Sequence, residues 1–351
     1  MIKYYTRACN FYYGNISKEK IKKKASLPLN GNKLISFDSL ELLTRKSIKK
    51  INIKDINKLP LKLKKKALND LNKITKEKKL SKIKLKDFPL LMAILNTTPD
   101  SFSDGGKYLK SISAYKQIKK LSKDGADVID IGGESTRPNS DTVDSSTEWK
   151  RIKSKLKYAK KNKIVISLDT RKSFILKKSL PFKINLLNDV SGLSHDSKMI
   201  KVLKLSKIPF VLHHMQGTPK TMQKNPKYKN VILDIYDFFE KKLEYIRTNQ
   251  IYHNNIILDP GIGFGKNLKH NITILNQISI FHSLGFPVML GLSKKRFIKE
   301  LSGKNDSKDR IGGTASSCMY AILQGVQILR VHDVNEIKQS MKVFKKLIFN
   351  K

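Results

Sequence analysis

From Leu90 onward the chain repeats one pattern: a short apolar run of strand length, a polar turn, then a longer segment whose apolar residues recur at helical spacing. No other feature restricts the fold as much, because strands joined through helices run parallel, and a parallel sheet needs helices over its faces. The apolar runs are LLMAIL at 90–95, ADVIDI at 126–131, KIVISL at 163–168, KINLL at 183–187, PFVLH at 209–213, IIL at 256–258, PVMLG at 287–291 and VQILRV at 326–331. Helical spacing covers 111–123, 148–161, 231–249, 268–283 and 335–349, among others. Eight such strands over residues 88–351 predict an α/β chain folded as a (β/α)8 TIM barrel.

A barrel of this kind builds its site from the loops at the C-terminal ends of its strands. Polar residues cluster there: Asn96 after the first strand, residues 134–137 after the second, Asp169 after the third, and Asn188 with Asp189 after the fourth. His214 follows the fifth, Asp259 the sixth, residues 293–295 the seventh and residues 330–333 the eighth. Glycine-rich turns at 132–133, 261–263 and 312–313 accompany them.

The first two loops, NTTPDSFSDGG at 96–106 and GGESTRPNS at 132–140, are small, hydroxylated and glycine-rich, so their backbone N–H groups suit an anion. Arg137 adds a guanidinium, and closure of the barrel brings Arg330 and His332 beside it and Asn96, which predicts a four-member anion pocket. Taken alone, Asn96 reads as a strand-end turn residue and Arg137 as a surface partner of Asp141 or Asp144. Asp169, Asn188 and Asp259 end strands three, four and six, where a buried carboxylate needs a donor. A flat heterocycle with amino and ring N–H groups supplies one, whereas Asp169 as a helix N-cap is the plainer alternative. His213 and His214 are adjacent on a strand and face opposite ways, so they do not bind one ion, and no zinc-like ligand spacing accompanies them. Magnesium is a different case, because one protein oxygen such as that of Asn96 suffices beside a bound pyrophosphate.

The formal charge of +42 points towards a polyanionic partner, yet 62 of the 71 basic residues are lysine, with only nine arginines. Lysine, isoleucine and asparagine abound together, which fits biased nucleotide composition better than phosphate recognition, for which arginine is the usual tool. Residues 1–90 hold 25 Lys or Arg against seven Asp or Glu, a net +18, and only two of the 18 glycines. We read residues 1–87 as a separate, less regular lysine-rich extension of unknown role, with short amphipathic helices near 61–66 and 73–86, packed loosely on the barrel. Two cysteines make no disulfide framework, no apolar run reaches the roughly 18 residues of a membrane span, and the first residues lack a signal core, which predicts a cytoplasmic protein.

The segments MAILNTTPDSFSDGG, GADVIDIGGESTRP, ISLDTRKS, LLNDVSGLS, HHMQGTPKTMQ, IILDPGIGFGKN, GLSKKRFI and ILRVHDV stand in the order and near the spacing of one family. From about Phe88 to Leu347 the chain resembles the bacterial dihydropteroate synthases of folate biosynthesis. The resemblance implies condensation of 6-hydroxymethyl-7,8-dihydropterin pyrophosphate with 4-aminobenzoate, pyrophosphate leaving first with Mg2+ assistance and the amine then attacking a pterin cation. It places the pterin on Asp169, Asn188, Asp259 and Lys295, near Phe264, and the pyrophosphate on Thr136, Arg137, Arg330 and His332, with Asn96 holding the metal. Ser101, Phe102 and Asp104 close over the aminobenzoate, and the expected catalytic residues are Asn96, Arg137, Asp169 and Lys295. It also implies a homodimer joined through barrel helices, while the lysine-dominated charge and the absence of a long apolar run predict no specific nucleic-acid partner and no membrane partner.

Three departures stand out. Lys294, Lys295 and Arg296 follow one another where the family usually has an arginine before the lysine and a serine after it, so Arg296 either binds the aminobenzoate carboxylate or crowds it. His213 replaces a usually apolar residue of the pterin pocket, and residues 1–87 have no counterpart in the shortest members. Competing readings are a pterin-binding methyltransferase barrel, which lacks the ESTRP, SxK and RVHD elements present here, a basic nucleic-acid-binding protein, and an inactive scaffold hinted at by Arg296.

Overall fold

The computed structural model describes residues 2–98, 111–135 and 141–349. Its first part is β1 (Tyr5–Tyr13), α1 (Gly14–Lys22), β2 (Leu27–Leu29), β3 (Asn32–Leu43), β4 (Ile48–Asn52) and α2 (Leu61–Thr75). The barrel follows: β5 (Leu90–Asn96), α3 (Ser111–Lys123), β6 (Val128–Gly132), α4 (Ser145–Lys161), β7 (Ile166–Asp169), α5 (Ser173–Ser179), β8 (Leu186–Asp189), α6 (Met199–Ser206) and β9 (Phe210–His213). It continues with α7 (Val231–Thr248), β10 (Ile256–Asp259), α8 (Leu268–Asn276), β11 (Met289–Gly291), α9 (Arg296–Ser302), α10 (Ile311–Leu323), β12 (Ile328–Val331) and α11 (Val334–Phe349).

Strands β5 to β12 form one parallel sheet in the order β10-β9-β8-β7-β6-β5-β12-β11. The circle closes where the Leu258 N–H donates to the Pro287 carbonyl at 2.8 Å and Leu258 bridges Val288. Every apolar run read as a strand is one; five of the eight begin two or three residues later than their sequence limits, and three end on the polar residue just beyond them, Asn96, Asp169 and Asp259. The segment 268–283 splits into α8 and a 3-10 stretch, Ile278–Leu284.

Successive residues of a strand face opposite sides, and this sorts the barrel into layers. Leu90, Met92, Val128, Leu186, Val211, Ile257, Met289 and Ile328 fill the interior as one apolar cluster. Their neighbours, among them Leu91, Ile129, Leu187, Leu212, Leu258 and Leu329, point outward into the helix layer. Two residues past the apolar layer, the same inward face presents Asp130, Asn188, His213, Asp259, Gly291 and Arg330 at the top of the barrel.

The expectation of an irregular, loosely packed extension is corrected. β1, β2 and β4 all pair antiparallel with the long β3. The β2–β3 hairpin turns on Asn30 and Gly31, with φ of 56° and 77°, as an Asn-Gly turn requires. Tyr5, Ala8, Leu29, Phe37, Leu40 and Ile74 belong to the same buried cluster as the helix layer of the barrel. Ser279 Oγ donates to the Ala8 carbonyl at 3.0 Å, and Tyr13 Oη donates to the Leu323 carbonyl at 3.1 Å. Basic residues meet the acidic face of α7: Arg45 bonds Asp234 at 2.7 Å and Asp237 at 2.6 Å, where Tyr5 Oη also donates. Residues 76–87 carry no helix, against expectation, and instead run beneath the barrel, where Ile83 with Leu80 and Leu85 closes the bottom of the interior cluster. The Ser81 N–H donates to Asn255 Oδ1 at 2.9 Å, which ties that segment to the strand-start side of the barrel.

Candidate active site

The residues at the top of the barrel converge on one cleft, lined by Asn188, Val190, His213, Asp259, Ile262, Phe264, Gly291, Lys295 and Arg330. Its free volume is only about 20 Å³, room for little more than a water molecule, because long side chains lie across it. Arg330 is the main occupant: its Nε donates to Asp130 Oδ2 at 2.7 Å and its Nη2 to Asp169 Oδ2 at 2.8 Å. Asn188 Nδ2 donates to the same Asp130 oxygen at 2.9 Å. Asp130 Oδ1 and Asn188 Oδ1 are buried without a hydrogen-bond partner among the described residues. Buried acceptors in that condition are costly, and they mark where an incoming donor would be stabilised.

The electrostatics follow from burial. Desolvation and the neighbouring Asp130 carboxylate raise the Asp169 carboxyl, while Arg330 pulls it down. Burial opposes the charge on Arg330, yet Asp130 and Asp169 hold its guanidinium above the usual range. Asp259 is pushed up to about 6 by burial, against the Gly261 N–H that bonds its Oδ1 at 2.8 Å and against Lys295. Burial, with Arg330 nearby, lowers Lys295 to about 8, and its ammonium sits 4.2 Å from the centre of the Phe264 ring. The loop carrying Phe264 lies tight on the end of β9: Gly261 has φ +70°, and a Cβ there would fall 2.0 Å from the His214 carbonyl oxygen. The buried Lys266 anchors the same loop, donating to the Phe264 carbonyl at 2.9 Å and lying 3.0 Å from His214 Nδ1.

Most of the residues expected at the site are brought together. Asp169, Asn188, Asp259, Lys295, Phe264 and Arg330 share the cleft or its floor. Asn96 ends β5 opposite Gly132, and His332 stands at the rim with its Nδ1 3.0 Å from Ser293 Oγ. Thr136, Arg137, Ser101, Phe102 and Asp104 lie outside the described residues. Asp169 is no helix cap, since Lys172 holds the N-cap position of α5. Asp144 caps α4 and Asp141 pairs with Lys220. Arg296 is not among the residues lining the cleft: it opens α9, more than half exposed, and pairs with Glu300 at 2.8 Å. Lys294 is occupied by Asp333 at 2.8 Å, which leaves Lys295 as the lysine of the cleft. His213 faces inward and His214 outward, as strand alternation requires.

Two parts escaped the sequence. Asp130 is one, although an acid inside the strand VIDIG, two residues after an inward valine, is itself a signal. Behind the second loop, Arg171 grips both oxygens of the buried Glu134 at 2.9 and 3.1 Å, and against the cost of burial it holds that carboxyl below the usual range. Nothing in local spacing links positions 134 and 171.

Comparison with known proteins agrees with this geometry. A family model described as "Pterin binding enzyme" matches residues 92–332. The dihydropteroate synthase of Synechocystis sp. is 39% identical over 254 residues, which cover 72% of this chain and 88% of that protein. The structure of the Yersinia pestis dihydropteroate synthase with a sulfonamide drug complex superposes with a TM-score of 0.71 at 35% identity, covering 74% of this chain and 94% of that one. The Thermus thermophilus enzyme in complex with 4-aminobenzoate gives 0.66 at 33% identity, covering 74% and 95%. A closed barrel of eight parallel strands, an acidic and cationic cleft at their C-terminal ends, and these likenesses over that whole barrel lead to one assignment: the chain belongs to the dihydropteroate synthase family of pterin-binding transferases.

Proposed function

We propose that residues 88–351 condense 6-hydroxymethyl-7,8-dihydropterin pyrophosphate with 4-aminobenzoate, and that residues 1–87 serve as their structural base. The observation that carries this reading is the convergence of strand-end acceptors and two cations on one cleft. Asp259 accepts from the amino edge of the pterin, Asn188 and Asp169 bind its remaining edge, and Lys295 covers it from the Phe264 side. The cleft admits a flat heterocycle when the long Lys295 side chain swings aside, whereas Arg330 stays anchored on Asp130 and Asp169.

In the reaction, the C–O bond to pyrophosphate breaks and its electron pair leaves with the phosphate. The aminobenzoate nitrogen then forms the C–N bond and releases one proton. Thr136, Arg137, Arg330 and His332 offer donors where the negative charge develops, and donors fixed before the reaction stabilise it most. A hard cation would be held by the Asn96 amide oxygen, since one protein oxygen suffices beside a bound pyrophosphate. Such a cation, Mg2+ in this proposal, would neutralise charge on the leaving group. Asn96, Arg137, Asp169 and Lys295 act directly, while Ser101, Phe102 and Asp104 keep water from the cation.

The proposal includes a cytoplasmic homodimer. Two buried, unpaired cysteines support the reducing compartment, and no described helix is long and apolar enough to cross a membrane. Light scattering on the purified chain tests the dimer. The reaction is tested by pyrophosphate release with the pterin pyrophosphate and Mg2+, with and without 4-aminobenzoate. Release that needs both substrates and collapses in Arg137→Ala and Asp259→Ala supports the reading. No turnover by a folded protein that still binds pterin overturns it.

A further inference from the structure

One ring in the wall of the cleft has no role in the scheme above. His213, the last residue of β9, is 3% exposed and lines the cleft with Asn188, Asp259, Phe264, Lys295 and Arg330. Its Nδ1 lies 2.9 Å from the Val190 carbonyl oxygen. A carbonyl only accepts, so the proton sits on Nδ1 and the neutral ring keeps a bare lone pair on Nε2. Burial, together with Lys266, Lys295 and Arg330, holds the ring well below the ordinary histidine range, so it is neutral at physiological pH.

The ring is also fixed in place. Phe264 packs against it edge to face, with centroids 4.7 Å apart at 85°, and the backbone at Gly261 passes so near that a Cβ there would lie 3.0 Å from its Cε1. Val190, Phe264 and Gly261 therefore restrain it from three directions. Lys295, by contrast, is a long chain that an entering ligand displaces.

We propose that His213 is a specificity-determining residue of this site, an immobile hydrogen-bond acceptor that takes an N–H of the bound heterocycle through Nε2. The inference rests on the pterin reading given above and adds to it a polar contact that an apolar side chain at this position would lack. It predicts that the pocket favours heterocycles with an additional N–H directed at this wall, and that removing the acceptor weakens the pterin without touching the aminobenzoate side.

The test is calorimetric titration of the full chain with 6-hydroxymethyl-7,8-dihydropterin, with steady-state kinetics alongside, for wild type, His213→Met, His213→Gln and Asp259→Ala. Met keeps the bulk and removes the acceptor, whereas Gln keeps an acceptor oxygen. The expected result is a rise in pterin Kd and KM of about tenfold for His213→Met, a smaller change in kcat, an unchanged KM for 4-aminobenzoate, and recovery of most of the affinity by His213→Gln. Equal pterin affinity in wild type and a folded His213→Met overturns the role of His213 alone. Absence of pterin binding by wild type, with Asp259→Ala behaving identically, overturns the underlying reading as well.

Discussion

Asp259 shows how the site works against stability. Its carboxyl titrates near 6 in the folded protein, above the ordinary aspartate value of about 3.9. A group raised in this way stabilises the fold below its unfolded pKa, and that contribution is lost as pH rises through about 6. At pH 7 the buried charge therefore costs about 3 kcal/mol. Asp259→Asn keeps an acceptor for the Gly261 N–H and removes the charge, so calorimetry at pH 7 should show Tm raised by about 3–6 °C, with the gain gone near pH 4. The same variant should lose pterin binding, and wild-type affinity should fall as pH drops below about 6 and the acceptor is protonated. Asp130 is the opposite case. Asp130→Ala leaves Arg330 with a single carboxylate and Asn188 Nδ2 without its acceptor, so urea unfolding should show a loss of about 3 kcal/mol. A misplaced guanidinium should also lower kcat/KM roughly 100-fold. An Asp130→Ala enzyme with wild-type kinetics would show that the Arg330 bridge has no part in catalysis.

At the scale of elements, the barrel strands were readable because their inward and outward residues are both apolar over four or more positions, and a run of that kind stands out in any window. The extension's strands were not, because Arg7, Lys33, Lys49 and Lys50 fall within them and break the apolar pattern. A local cue was present: Asn30-Gly31 between two apolar stretches is a hairpin turn, and it joins β2 to β3. Gly31 has φ +77°, and a Cβ would lie 2.8 Å from Glu77 Cβ at the start of the segment that runs under the barrel. Gly31→Val should therefore cost about 2 kcal/mol, seen as a lower denaturant midpoint, with hydrogen exchange accelerated first in residues 76–87. Unchanged protection there would separate the hairpin from the plug.

For the whole molecule, the charge of +42 suggested a chain designed for polyanions, but the structure uses part of that charge internally. Lys3 and Arg45 meet acids of α7, Arg7 meets Glu41, and Arg171 and Lys172 meet Glu134. Removal of residues 1–87 would uncover Ile280 and Phe281 on one side and open the floor of the barrel at Ile83. Expressed alone, residues 88–351 should be aggregation-prone, with a Tm at least about 10 °C lower if any soluble fraction survives. A truncated barrel as stable as the full chain would return the extension to the status of an appendage. Binding of duplex DNA by the intact chain should be weak and lost by about 0.3 M salt, as non-specific contact requires.

What the sequence determined by itself is what short-range patterning can encode. Apolar runs of strand length, the helices between them, and polar residues at the ends of the runs are properties of single segments, and they placed Asp169, Asn188, Asp259 and Arg330 at one end of a barrel. Tertiary structure alone decided which of these residues touch. Arg330 bridges Asp130 and Asp169 across 200 and 161 residues, Arg171 finds Glu134 across 37, and Ile83 closes a cluster whose other members come from seven strands. These contacts are settled by closure of the sheet and by the need of each buried charge for a partner, and both are conditions on the whole fold.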